Sequence, residues 1–212
     1  MEIFDALFSA SQARVLLFLA RNSGRTFFER EIVEATGVSR SAVNLAARAL
    51  HEAGLIRRER RGRMNFYTVN DPHPFIRQFK VLDTLASLEL VLGDLRPLSR
   101  QIILFGSCAE GTNTRESDID LFILSSEREK TMKIIGRHLA MLPIQPVIMN
   151  NQELVESKEK DAAFHAQVKR GLVVWEANGE LESSARHGLK SAGRFVEAAG
   201  RLLADWKEPP DS

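Results

Sequence analysis

Apolar residues in the first third of the chain recur at intervals of three and four. In SQARVLLFLARNSG, Ala13, Leu16, Leu17 and Ala20 keep that spacing and the run stops at Gly24, which predicts an amphipathic helix. TFFEREIVEATG opens with Thr26 and Glu29 at the spacing of a capping box and closes at Gly37, a second and shorter helix. VSRSAVNLAARALHEAG has Ser39 as its N-cap and stops at Gly54. The period then changes to two, and LIRRERRGRMNFYTV reads as two strands around a turn at Arg61-Gly62. DPHPFIRQF, with Pro72 and Pro74, breaks this hairpin from a long helix that runs to about Arg96. Along that helix Val81, Leu85, Leu88, Leu92 and Leu95 step by four and three, and Phe79, Leu82, Leu90 and Val91 add a second apolar side. The pattern fits a seam between two copies of the chain or a helix buried between domains. It marks the candidate dimer contact.

From Arg100 onward strands and helices alternate. QIILF, DIDLFIL, PIQPVIM and LVVWE are short apolar strands. EREKTMKIIGRHLAML is an amphipathic helix between the second and third, and NQELVESKEKDAAFHAQVKRG is one helix or two before the fourth. A last helix is expected over 184–206, followed by a disordered KEPPDS. The resulting class is α+β multidomain, divided at 1–71, 72–97, 98–178 and 179–212.

Composition changes this picture little. The 212 residues are 44% apolar and 27% charged, the balance of an ordinary globular protein with ample core. No apolar run is long enough to span a bilayer and no signal-peptide pattern opens the sequence, so no membrane partner is expected. The single cysteine, Cys108, excludes an internal disulfide and a cysteine zinc cage, and the expected compartment is the cytoplasm. The net charge of +1 hides an asymmetry: residues 1–70 carry eleven Arg, no Lys and seven acids, so the remainder is net acidic. A basic first third suits a polyanionic partner, although a surplus of this size also arises by chance.

The third helix gives the surplus a place. Val43, Ala46, Ala47 and Leu50 form an apolar stripe, while Arg40, Asn44 and Arg48 step by four on the other side with Ser41 beside the first. Such a face can enter a major groove, where Arg reads guanine and Asn reads adenine. Arg57, Arg58, Arg60, Arg61 and Arg63 on the hairpin would meet phosphates. Charged runs are usually only solvated, but these fall on both DNA-facing elements of one motif. Residues 9–70 resemble the winged helix-turn-helix regulators of bacteria and archaea. The resemblance implies a winged helix DNA-binding domain at 1–71, a double-stranded DNA partner, and a homodimer joined through the 72–97 helix.

The remaining chemistry lies in LFGSCAEGTNTRESDIDLFIL. On the strand DIDLFIL, Ile119, Leu121 and Ile123 share one face, and Asp118 and Asp120 share the other. Two carboxylates so close repel unless a cation sits between them, and Mg²⁺ takes one or two carboxylates plus phosphate oxygens. Upstream, an apolar strand ends at Gly106, where the backbone can approach a ligand closely, and Ser107 can cap a following helix whose free N–H groups favour phosphate. Gly106-Ser107, ten intervening residues and Asp118-Ile119-Asp120-Leu121 resemble the DNA polymerase beta nucleotidyltransferase superfamily, and in particular the minimal nucleotidyltransferases, over 100–176. The resemblance implies a mixed sheet flanked by helices, Mg²⁺ on Asp118 and Asp120, and ATP or another nucleoside triphosphate at Gly106 and Ser107.

Two departures from that pattern bear on activity. The family's third carboxylate falls on the strand after the intervening helix, and PIQPVIM has Gln145 there, followed by Pro146. Glutamine can coordinate weakly but cannot take a proton, and Glu153 and Asp161 are poor substitutes by spacing. Glu110 stands where the family often has a base, with Arg115 the only nearby replacement. The expectation is a regulator whose transferase-like domain binds nucleotide and Mg²⁺ with reduced or absent catalysis. The alternatives are an active Mg²⁺-dependent nucleotidyltransferase, with Asp118 and Asp120 catalytic, that moves a nucleoside monophosphate onto a protein or nucleic-acid hydroxyl, and a dead scaffold for dimerisation. Cys108 is read as a small filler, and His165 and His187 as structural or solvent-facing.

Overall fold

The computed structural model describes residues 10–139 and 142–177, so the expected helix over 184–206 and His187 lie outside the described residues. The contacts divide into two units, one reaching to Asp83 and including Ser107–Ser117, the other comprising Thr84–Gly106 and the chain from Asp118.

In the first unit, helix α1 (Ala10–Arg21) is followed by a two-residue strand β1 (Phe27–Phe28), helices α2 (Glu29–Thr36) and α3 (Arg40–Glu52), and a hairpin of β2 (Ile56–Arg61) and β3 (Met64–Val69). The antiparallel sheet has the order β1-β3-β2. The α2–α3 turn is set by Gly37, at φ +66°, whose N–H caps the Val33 carbonyl at 3.0 Å. Ser39 caps α3 as expected, accepting from the Ala42 N–H. The core joins Val15, Leu16 and Leu19 of α1 to Ile32 of α2, to Val43, Ala46, Ala47 and Leu50 of α3, and to Leu55, Ile56 and Ile76.

Three local expectations need correction. Val15, Leu16, Leu19 and Ala20 form the buried face of α1, while Ala13 and Leu17 are half-buried. The cap of α2 is at Phe28, whose N–H donates to Glu31 Oε2 at 2.9 Å. Thr26 is drawn away from that role, because Phe27 and Phe28 pair with Tyr67 and Phe66 and the Thr26 hydroxyl meets Thr68 at 3.0 Å. The hairpin turns at Gly62-Arg63, one residue later than expected, with Arg61 paired to Met64 and Gly62 at φ +62°.

Helix α4 (Pro74–Leu95) starts in the first unit and ends in the second. Val81, Leu88, Val91, Leu92 and Leu95 are buried within the chain itself, and Leu90 is 73% exposed. Leu82 and Leu85 are half-buried. No described helix is long and apolar enough to cross a membrane.

The second unit is a mixed four-stranded sheet of order β6-β5-β4-β7, built from β4 (Gln101–Phe105), β5 (Ile119–Leu124), β6 (Ile144–Met149) and β7 (Leu172–Glu176). β5 is antiparallel to β4 and parallel to β6, with helix α6 (Arg128–His138) in the crossover. Helix α5 (Gly106–Glu110) is a single turn after β4. Two helices precede β7, α7 (Asn151–Lys160) and α8 (Ala162–Lys169), separated at Asp161, whose side chain accepts from the Phe164 N–H at 2.9 Å. Ile103, Phe105 and Phe122 pack with Val168 and Phe164 of α8 on one face, while Ile102, Leu104, Leu121 and Ile123 are fully buried on the other. His165 is buried and bonded to Ser157 Oγ at 2.8 Å, and Cys108 is buried.

Candidate nucleotide and DNA sites

The sheet brings the sequence-predicted carboxylates and Gln145 to one end of β5 and β6. Phe105, Asp120 and Gln145 lie in register across β4, β5 and β6. Pro146 restricts the residue before it to extended backbone, which helps hold Gln145 in the strand. The Gln145 Nε2 donates to Asp118 Oδ2 at 2.9 Å. At the end of β4, Gly106 turns the chain at φ +68°, and a Cβ there would collide with Asp120 Oδ2. Only glycine lets the main chain pass so close to that carboxylate. The Asp120 carboxyl is held above the usual range, first by burial and then by the charge of Asp118. The pair is therefore an unfavourable arrangement of like charge, relieved at Asp118 by a neutral amide donor.

The acids that spacing ranked as poor substitutes have other work. Glu153 accepts from the Asn150 N–H at 2.8 Å and from Arg128 at 2.9 Å to each oxygen. Those bonds, the Asn150 N–H first, hold its carboxyl below the usual range. Asp161 caps α8. Among the described residues no group of three or more His, Cys, Asp or Glu could hold a metal. Two hard carboxylates beside an amide still suit Mg²⁺, which commonly completes its shell with water and phosphate oxygens. Ser107 sits in the one-turn α5, too short to add much dipole, and its carbonyl accepts from the Thr112 N–H at 3.0 Å.

The second polar surface is on α3. Arg40, Ser41, Asn44 and Arg48 are all exposed, opposite the buried stripe. Arg40 pairs with Glu29, and Arg48 with Glu52 at 2.9 Å. On the hairpin, Arg58, Arg60 and Arg63 are exposed. Arg61 makes a forked bond to Glu59 at 3.0 and 2.8 Å and lies over the Phe66 ring. Exposed pairs of this kind contribute little and exchange readily for a phosphate. A groove of about 460 Å³ runs between Arg40 and Arg63, floored by Phe28, Val33 and Met64. The structure adds Leu45, 70% exposed on the same face of α3. Its position outside the 43, 46, 47, 50 stripe was a legible signal.

Residues 85–169 match the family model described as a nucleotidyltransferase domain, and residues 8–63 match that of the MarR family. The chain joins a MarR-type domain to a nucleotidyltransferase domain. Among solved structures, a protein from Sulfolobus solfataricus described as a nucleotidyltransferase is 21% identical, over 48% of this chain and 86% of that one, with a TM-score of 0.31. A toxin-antitoxin structure with AMP-PNP is 19% identical, over 57% of this chain and 96% of that one, with a TM-score of 0.33. Likeness at that level carries no assignment of residues or ligand. No curated protein matches the chain. In the nucleotidyltransferase domain, the position expected to hold a third carboxylate is the one Gln145 occupies. In the MarR-type domain, exposed basic residues lie on α3 and on the hairpin that forms the wing, and also at Arg21, Arg25 and Arg30.

Proposed function

We propose that the protein is a DNA-binding regulator whose nucleotidyltransferase domain binds a nucleoside triphosphate with Mg²⁺ and turns it over poorly or not at all. The observation that carries this reading is the Gln145 amide, in register with Asp120 and bonded to Asp118. It offers neither the third anionic ligand nor a proton acceptor, while the two carboxylates and the Gly106 passage are retained. Bound Mg²⁺ would neutralise the Asp118–Asp120 pair and take up phosphate oxygens. Asp118 and Asp120 hold the cation, Gly106 admits the ligand close to the main chain, and Ser107 offers its hydroxyl and N–H to phosphate.

On the DNA side, Arg40, Ser41, Asn44 and Arg48 read base edges, with Leu45 available to a thymine methyl. Arg58, Arg60, Arg61 and Arg63 meet the backbone. The protein acts as a homodimer, with α4 the candidate contact. Isothermal titration with each nucleoside triphosphate and Mg²⁺ tests the reading. Heat with at least one nucleotide, lost in Asp118→Ala, supports it, and silence across all four ends it. Transfer of labelled AMP from ATP to an acceptor, abolished by Asp118→Ala, would instead establish an active transferase.

A further inference from the structure

Lys80 is a buried cation, with 5% of its surface exposed. Its Nζ donates to Ser23 Oγ at 2.8 Å, to Asp71 Oδ1 at 2.7 Å and to the Asn113 carbonyl at 2.8 Å. An ammonium has three N–H donors, and these acceptors are enough to engage all three. Ser23 follows α1, Asp71 follows β3, and Ser23 is itself bonded to Asp71. Both belong to the first unit, and Ser23 lies within the stretch that matches the MarR family. The third acceptor belongs to the loop Ser107–Ser117, which groups with that same unit although it is threaded between two strands of the other.

The loop begins at the residue proposed to meet phosphate and runs directly into Asp118. It is tied along its length. Thr112 N–H donates to the Ser107 carbonyl at 3.0 Å, Thr114 N–H to Ser117 Oγ at 2.9 Å, and Ser117 N–H to the Thr114 carbonyl at 3.2 Å. At Gly111, φ is +67° and a Cβ would collide with the Arg77 carbonyl of α4, so loop and helix backbones are in direct contact one turn before Lys80. Asn113 Oδ1 is buried with no hydrogen-bond partner, so this loop position leaves an acceptor uncompensated.

We propose that Lys80 is a positioning residue that couples nucleotide occupancy to DNA affinity. The proposal rests on the nucleotide-binding reading above. Moving the loop takes an acceptor from a buried cation, which raises the cost of holding Ser23 and Asp71 as they are. A ligand shifts such an equilibrium only by binding its two states differently, and contacts at Ser107 and Asp118 differ between loop positions. The coupling is reciprocal, so DNA must change nucleotide affinity by the same factor.

The test uses the full chain, ATP with Mg²⁺, and a labelled random-sequence duplex at low salt. Anisotropy gives duplex affinity with and without ATP-Mg²⁺, and calorimetry gives ATP affinity. For the wild type, ATP-Mg²⁺ changes duplex affinity by about five-fold or more. In Lys80→Met that ratio falls to one, while ATP binding and nucleotide-free duplex binding stay within a few-fold. Wild-type ATP binding with no change in duplex affinity overturns the coupling and leaves the nucleotide reading standing. An unchanged ratio in a folded variant also overturns it. No ATP binding at all ends both. Hydrogen exchange on the wild type needs no variant: ATP-Mg²⁺ alters exchange at Gly111–Asn113 together with the hairpin. A change confined to the loop overturns the proposal.

Discussion

The two polar surfaces of this protein are built under different constraints. On α3, the like charges Arg40 and Arg48 stand about two helical turns apart and each finds an acid nearby, Glu29 and Glu52 respectively. Such a face costs the fold little. At the end of β5, the sheet fixes Asp120, with Asp118 just before the strand and bonded to Gln145, and burial plus the charge of Asp118 raise the Asp120 carboxyl. A helix face of that kind can persist as solvated surface. A carboxylate pair held by a rigid sheet is kept against its own repulsion, and a bound cation is the natural compensation.

The sharpest test of this contrast is Gln145→Asp. A third carboxylate in register with Asp120 supplies the missing base and ligand, and label transfer from ATP should rise by about 100-fold or more. No gain in the presence of intact nucleotide binding would mean that the site lacks more than a base. Next in size, Asp118→Ala with Asp120→Ala should weaken ATP-Mg²⁺ by more than about 100-fold by calorimetry. Nucleotide-free duplex binding should be unchanged. Arg40→Ala makes the opposite cut: duplex affinity falls by about 1–3 kcal/mol in anisotropy titrations and ATP binding is unaffected.

The smallest effect is on stability. Asp120 has a folded-state carboxyl raised above its unfolded value, so ionising it opposes folding, and the penalty is present at neutral pH and disappears as pH falls through the raised value. Asp120→Asn should therefore stabilise the fold slightly at neutral pH, by less than about 1 kcal/mol because the site is partly open to water, and so raise Tm. The gain should vanish in acid. A lower Tm at neutral pH would break the claim that the pair is held at a cost.

Much of this was legible in the sequence because it follows from period and punctuation. The α3 stripe, Ser39 as a cap, Gly37 as a turn and the carboxylates on one strand face all depend on local spacing. What was not legible depends on partners distant in the chain. Thr26 has the spacing of a cap, but sheet pairing of its neighbours with Phe66 and Tyr67 moved the cap to Phe28. The α4 heptad looked like a seam because periodicity reports that a face is buried without saying by what. Gln145, where the resemblance implies a third carboxylate, was visible in the sequence, but its bond to Asp118 required the register of β5 on β6. Lys80 gave no sequence signal, since a lysine among apolar positions on a long helix ordinarily reaches solvent.

Pro146 has a consequence for assembly. β6 is an outer strand of the sheet, and the Pro143 and Met149 carbonyls point inward to Ile119 and Ser125. Alternation then turns the main-chain nitrogen of residue 146 outward, where proline has no hydrogen to give. The free margin beside the carboxylates thus lacks a donor at its centre, and an incoming strand from another molecule would find a gap in the ladder. Self-association by strand addition is discouraged on that border of the sheet. The opposite border, β7, contains no proline.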